Sequence, residues 1–336
     1  MQSPDVVIAG AGLIGLACAL ECERRGMRVV VLEKGLAGQQ ASWAAAGMLA
    51  AHDPSNPPEL TSLSEASLSL YSDFLGRLAQ DGGLTVPIQT QWTLEQESGA
   101  IADAAPAGFH GNGFRRMKEQ SLNPRHLVAA VSAAVRRSSI VLHEGCPMHS
   151  YNATDSSVEI STPNGSMHAG QFLDCTGAWS RVPVRPVKGQ MLRVNAPGAL
   201  STGAFGNVVI RTGHFYLVPR LDGTVVIGAT VEDAGFDKTI RYSDLDALRA
   251  EAAALIPALQ TAPEVESWAG LRPGTPDSLP LLGQTGPACF VAAGHFRNGI
   301  LLAPGTALLM GELLAGQQPR IDLGTFSPDR FNVVSA

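Results

Sequence analysis

Three glycines in the stretch "GAGLIG", Gly10, Gly12 and Gly15, stand directly after an apolar run and directly before a segment of helical spacing. Glu33 closes the next apolar run about 20 residues on, the position from which an acid reaches a ribose hydroxyl. Residues of these types at this spacing hold a dinucleotide. The first glycine permits a tight turn, the second admits a pyrophosphate against bare backbone, and the third lets helix and strand pack closely. A helix opening at Leu13 and Ile14 stabilises phosphate charge with its N-terminus. Lys34, next to the acid, reaches either an adenosine or solvent.

A second constellation sits near the other end, in "GHFRNGILL" (residues 294–302). Arg297 lies in a turn between the apolar run "CFVAA" and a helix-like run. Ligands of open parallel sheets bind beyond the carboxyl ends of the strands, and a guanidinium there can grip a carboxylate with two prongs. A structural arginine bonded to carbonyls at a strand end is the alternative. Arg272 in "AGLRPG" either meets a ligand or pairs with Asp277. Tyr216 in "HFYLVP" either hydrogen-bonds a carboxylate or is a core tyrosine. His214, two residues earlier on the same strand face, reads as structural or solvent-facing, and Lys188 in "VKG" as structural. Asn298 fits a helix cap as well as a cofactor contact.

The elements that must position these residues follow from periodicity. "DVVIAG" and "RVVVLE" are continuous apolar runs, as in strands buried on both faces, with the helix "LIGLACALECERRG" between them stopping at Gly26. Residues 59–80 predict one helix, and "RHLVAAVSAAVRR" predicts another. "SIVLHE" predicts a strand, and "SVEIS" a hairpin that turns at "PNGS" towards "HAGQFLDCTG". From about residue 186 the texture changes to short strands joined by turns, an antiparallel pattern, followed by the Asp-rich start of the helix "YSDLDALRAEAAALIPAL". The final segment returns to strand, turn and helix. One lobe is therefore built from discontinuous segments with a β-rich lobe inserted.

Composition sets the outer limits. A chain of 336 residues with 45% hydrophobic and 16% charged residues predicts two lobes with large cores. A net charge of -6 speaks against a nucleic-acid partner. The five cysteines include no CxxC pair, and the eight histidines show no metal-binding spacing, so no metal and a reducing, cytoplasmic setting are expected. Cys18 and Cys22, one helical turn apart, read as packing. The N-terminal apolar run lacks a basic leader and is too glycine-rich to span a membrane, so no membrane association is expected. Two further stretches favour FAD over NAD. The small-residue segment "ASWAAAGML" (residues 41–49) lets backbone approach a phosphate or ring, and "FLDCTGAWS" (residues 172–180) ends in a turn at Gly177 that can close over a cofactor.

The stretches GAGLIG…LEK, ASWAAAGMLAAH, VKGQ, YLVPR…GTVVIGAT, WAGLRPGTPDSLPLLG and AAGHFRNGILLAPGTA together resemble the D-amino-acid oxidase superfamily of flavoproteins, and within it the glycine oxidase family. They run through most of the chain. The resemblance implies an α/β fold, a Rossmann-type FAD-binding domain with an inserted antiparallel β-rich substrate domain. The implied division is residues 1–80, 121–185 and 272–336 for FAD and residues 81–120 and 186–271 for substrate. Non-covalent FAD contacts are implied at Leu13, Ile14, Glu33, Lys34, Ala41, Ser42, Ala46, Gly47 and Met48. Met148 would meet the adenine, and His295, Phe296, Arg297, Asn298, Gly299, Ile300 and Leu301 the isoalloxazine. Arg272, Arg297 and Tyr216 fall where the family holds its substrate.

The reaction so implied is oxidation of a small amino acid at Cα, with hydride passing to flavin N5. The products are an imine or oxo acid, ammonia and, with oxygen as acceptor, hydrogen peroxide. Glycine leads as substrate, then sarcosine and small D-amino acids, with thiamine thiazole synthesis as the implied use and a homotetramer as the implied assembly. A D-amino-acid dehydrogenase passing electrons to a quinone or partner protein is the alternative, and a non-catalytic FAD-binding paralogue a further one. No cysteine lies between Cys175 and Cys289, which speaks against covalent FAD. The chain departs from the family at residues 94–121, which are shorter than the family pattern, at Trp43 beside a cofactor contact, and at Val231 near the substrate.

Overall fold

The computed structural model describes residues 3–96, 113–203 and 206–331. Most of the segment expected to be shortened, residues 97–112, lies outside the described residues. The strands Val6–Ala9 and Val29–Leu32 flank the helix Leu13–Arg24, as their apolar pattern requires. They lie in a six-stranded sheet in the order 281–286, 289–293, 171–174, 6–9, 29–32, 141–143, parallel except for the pair 281–286 and 289–293. Val6 and Ile8 face the helical core, and Val7 and Ala9 face a small antiparallel sheet of residues 150–153, 158–162 and 165–169. Both faces are covered, hence the unbroken apolar runs. Cys18 and Cys22 are core residues, as expected.

The β-rich part is a seven-stranded sheet in the order 264–274, 185–195, 224–228, 216–219, 209–211, 93–96, 114–117. Only the pair 209–211 and 93–96 is parallel. It carries its own core, closed by the helix Tyr242–Leu255. This is the expected α/β fold with an inserted antiparallel sheet. The strand Glu264–Gly274 runs unbroken through the expected domain boundary at 271/272, so Arg272 belongs to the seven-stranded sheet, paired with Val187.

Residues 59–80 depart from expectation. They form two helices, Thr61–Ser69 and Tyr71–Gly82, because the last turn of the first tightens to an i→i+3 bond from Leu70 N–H to Ser67 C=O at 3.2 Å. The break sets Ser67 and Tyr71 against the helix Gly299–Leu314, which contains Pro304. Proline has no N–H, so the Ile300 carbonyl lacks its ladder donor. The Tyr71 hydroxyl donates to that carbonyl instead. Ser67 Oγ accepts from Gly305 N–H at 2.9 Å and donates to the Leu301 carbonyl at 2.7 Å. Two helices thus repair the ladder of a third, at a buried place.

Ser67→Ala leaves both groups buried without this bridge. We expect a loss of about 2 kcal/mol, the usual consequence of orphaned buried polar groups, measured as a lower urea midpoint at unchanged slope. An unchanged midpoint would mean that the ladder closes without Ser67.

Candidate active site

The glycine loop is as tight as its sequence suggests. A Cβ on Gly10 would lie 2.4 Å from the Cys175 carbonyl oxygen, and one on Gly15 would lie 2.0 Å from that of Gly10. A Cβ on Gly12 would meet nothing nearer than Ser42 Oγ at 3.6 Å, because Gly12 faces an open cavity. Glu33, buried at the end of its strand, accepts from Ala11 N–H at 2.8 Å and Gly35 N–H at 2.9 Å. It locks the loop to the second strand. Ser42 Oγ accepts from Leu13 N–H at 3.0 Å at the helix start.

The cavity has a volume of about 800 Å³ and runs from Glu33, Lys34 and Met148 to Tyr216, Arg272 and Arg297. That is large for a small-molecule site and suits an extended ligand. Ala41, Ser42, Ala46, Gly47 and Met48 line it on one side and Gly177 on the other. Arg220, buried, donates to the carbonyls of Ala46 at 2.7 Å and Leu122 at 3.2 Å, fixing the small-residue wall. Lys34 Nζ lies 3.2 Å from the ring centroid of Trp179, which stacks on Phe236. Trp43 packs beside the wall under Arg125, whose guanidinium carbon is 3.6 Å from its ring centroid.

Phe236 belongs to a strap fastened at both ends by Lys188. This lysine is fully buried; its Nζ donates to the Thr239 carbonyl at 2.6 Å and pairs with Glu232 at 3.3 Å. Its structural reading holds. Lys238, on the same strap, reaches Gln40 on the opposite wall at 3.3 Å.

At the far end Tyr216 lies over Gly228, where a Cβ would sit 2.5 Å from its ring, and its hydroxyl contacts Met191 Sδ at 3.1 Å. Burial pushes the Tyr216 phenol up, against the pull of Arg272, Arg220 and Arg297, so it stays a neutral donor. Arg272 lies against Gly189 and donates to the carbonyls of Thr230 at 3.1 Å and Lys188 at 3.3 Å. It does not pair with Asp277, which is held by Arg330. Arg297, exposed on the cavity wall, donates to Ser55 Oγ. Asn298 precedes the helix without capping it through its side chain; Nδ2 donates to Asn56 Oδ1 at 2.9 Å. His214 is exposed and borders the cavity, as does Val231. His295 is buried against Thr306 at 3.0 Å, and burial holds its pKa down to about 3, so it is neutral.

The cavity thus gathers the sequence-predicted residues except two. Gly15 packs beneath the loop, and Leu301 points into the core. Sequence reasoning missed Asp53, Ser55, Asn56, Glu95 and Arg211, which meet at the Arg297 end from distant segments. The roles of Gly189 and Gly228 were also missed, although both lie inside the motifs "VKGQ" and "VIGAT". Among the described residues no cluster of side chains could hold a metal ion, and no helix is long and apolar enough to cross a membrane.

Glycine loop, buried acid, two helix N-termini and a long covered cavity define a flavin-type dinucleotide site, and the known proteins agree. The family profile described as FAD dependent oxidoreductase matches residues 5–313, and the chain belongs to that family. It is similar to glycine oxidase of Pseudomonas aeruginosa, 33% identical over 97% of this chain and 99% of that protein. It is also similar to the bifunctional protein ThiO/ThiG of Synechocystis sp., 32% identical over 97% of this chain and 54% of that longer protein. The crystal structure of glycine oxidase from Geobacillus kaustophilus superposes with a TM-score of 0.90 at 28% identity, covering 98% of this chain and 99% of the other. The chain is an enzyme of this FAD-dependent oxidoreductase family and is similar to its glycine oxidases over nearly its whole length.

His295 makes a pH prediction. Its folded pKa is depressed from 6.5 to about 3, so below pH 6.5 the unfolded chain binds a proton that the native protein refuses. Stability is therefore lost as pH falls from 6.5 towards 3, by up to about 1.4 kcal/mol per pH unit from this group. His295→Gln should remove that share of the slope. Urea unfolding of both proteins between about pH 7 and pH 4 measures the difference; parallel curves would mean that His295 protonates in the native state.

Proposed function

We propose that the chain oxidises a small amino acid, glycine first, at Cα, giving an imine that hydrolyses to an oxo acid and ammonia, with oxygen reduced to hydrogen peroxide. The observation that carries this reading is the meeting of Tyr216, Arg272 and Arg297 at one end of the cavity, with the Tyr216 hydroxyl within the influence of both guanidinium groups. Two cations and a neutral donor there suit a carboxylate. Bound FAD supplies a two-electron acceptor for the hydride that leaves Cα.

The remaining roles belong to the protein. Gly10, Gly12, Leu13 and Ile14 would face the pyrophosphate, Glu33 the ribose and Met148 the adenine. The turn from His295 to Ile300 would lie along the flavin, with its helix N-terminus favouring negative charge on the ring. Arg297 would grip the substrate carboxylate, while Arg272 and Tyr216 complete its hydrogen bonding and fix Cα in place. His295, buried without charge and bonded to Thr306, would not serve as the base for the amine, which would arrive neutral. A use of the imine in thiamine thiazole synthesis gains support from the ThiO/ThiG likeness.

An anaerobic titration of the yellow protein with glycine tests the reading. Bleaching of the flavin, followed by recovery and peroxide on admitting air, is the expected result. Slow recovery in air would point to a dehydrogenase. No bleaching by glycine, sarcosine or small D-amino acids would overturn the substrate class. Arg297→Ala should raise the glycine concentration needed for half-bleaching by at least about tenfold, as loss of a charge-assisted pair requires. An unchanged titration would remove Arg297 from the substrate site.

A further inference from the structure

Arg297 is held from outside its own turn. Its guanidinium donates to Ser55 Oγ, and its neighbour Asn298 donates to Asn56 Oδ1 at 2.9 Å. Two successive residues of the turn are thus grasped by two successive residues of a loop 242 positions earlier in the chain. Ser55 is oriented for this task. Its N–H, at 2.9 Å, and its hydroxyl both donate to Asp53 Oδ1, which leaves a hydroxyl lone pair for the arginine.

Asp53 is anchored in turn. Its Oδ2 lies 3.8 Å from Nε of Arg211, a buried arginine that also pairs with Glu95 and, at 3.0 Å, with Glu119. Three carboxylates, Asp53, Glu95 and Glu119, gather round Arg211 here, and Ser55 links Asp53 to Arg297. Asp53, Ser55 and Glu95 all line the cavity beside Arg297. Burial works to raise the Asp53 carboxyl, but Arg211, Ser55 and Arg297 together hold it below its usual value, so it stays charged. Glu95 is pushed the other way, burial outweighing Arg211.

We propose that Asp53 is a positioning and selectivity residue of this site: through Ser55 it holds the Arg297 guanidinium in place, and its own charge turns away substrates that carry a second carboxylate. The proposal rests on the reading of Arg297 as the carboxylate ligand. A serine whose proton is committed to a carboxylate is a fixed acceptor, and a fixed arginine loses less freedom on binding. A second carboxylate brought beside Asp53 meets like charge in a partly dry cavity, which selects against it.

The test uses the FAD-reconstituted proteins and the change in flavin absorbance on adding acetate or malonate. The wild type should bind acetate more tightly than malonate. Ser55→Ala should weaken acetate by about tenfold and keep the acetate-to-malonate ratio within about twofold. Asp53→Asn should weaken acetate and also shift the ratio towards malonate by about tenfold or more. Asp53→Ser is the second neutral variant, and Asp53→Glu should restore the wild-type ratio. If acetate binds but neither neutral variant shifts the ratio, the selectivity role is overturned. If Ser55→Ala binds acetate as the wild type does, the positioning role is overturned. If acetate binding is absent, or is the same in Arg297→Ala, the carboxylate reading itself fails and takes the proposal with it.

Discussion

Pro304 interrupts the hydrogen-bond ladder of the helix Gly299–Leu314, and the site depends on how that interruption is repaired. The first turn of this helix carries the turn of His295 to Asn298 at its head, so any freedom at the break would reach Arg297. Tyr71 and Ser67 remove that freedom by giving the buried Ile300 and Leu301 carbonyls and the Gly305 N–H new partners. Both come from helices whose inner faces join the core through Leu63, Phe74 and Leu78. The same core holds the helix Leu13–Arg24, which packs on the proline-broken helix near Glu21, Arg25 and Gly311. Two helices locked side by side therefore bring both their N-termini to one cavity. That is an arrangement for negative charge, whether of a pyrophosphate or of a reduced ring.

The seven-stranded sheet supplies the opposite wall and depends on buried polar contacts to do so. Lys188 is wholly out of water, and its charge is met by Glu232 and by the Thr239 carbonyl. Gln190 continues the network, donating to Glu232 at 2.8 Å and Asp244 at 3.0 Å and accepting from Arg241 N–H at 2.6 Å. Removing one partner of such a set would strand a buried charge. The network is thus an all-or-none clasp on the strap that covers Trp179. Between Lys188 and Gln190 the strand is bare at Gly189, where a side chain would collide with the Arg272 guanidinium.

Local periodicity made the Rossmann-type half legible, because burial on both faces of a parallel strand writes an unbroken apolar run. The glycine loop and Glu33 were legible for the same reason; their spacing is set by one strand, one turn and one helix. The division at residue 70 was not legible, since it answers to Pro304, far along the chain. The Asp53, Glu95, Glu119 and Arg211 group leaves no local pattern either. Each of these residues, seen in its own stretch, is one more charged residue; the pairing of 93–96 with 209–211 and 114–117 brings Glu95, Glu119 and Arg211 together, and Asp53 joins them from the loop after the strand 48–49. Arg272 shows the limit of reasoning from near neighbours. Asp277 is five positions away, yet the fold gives it to Arg330 and gives Arg272 two carbonyls and a cavity.

A flavin-dependent oxidation at Cα asks little acid–base chemistry of its protein. Three of the groups here that could exchange protons are set out of use: Tyr216 is held neutral, His295 is held neutral and bonded, and Lys188 is sealed beneath the sheet. What remains active is placement. Among the described residues, Arg211, Arg272 and Arg297 gather at the far end of the cavity, and each is steadied by a different device. Arg272 rests on backbone carbonyls, Arg211 on buried carboxylates, and Arg297 on a serine that a carboxylate has oriented. Of the three, only Arg297 is both exposed and tied to a side chain of a surface loop. It is the one whose position a few residues of that loop can change, and with it the choice of substrate.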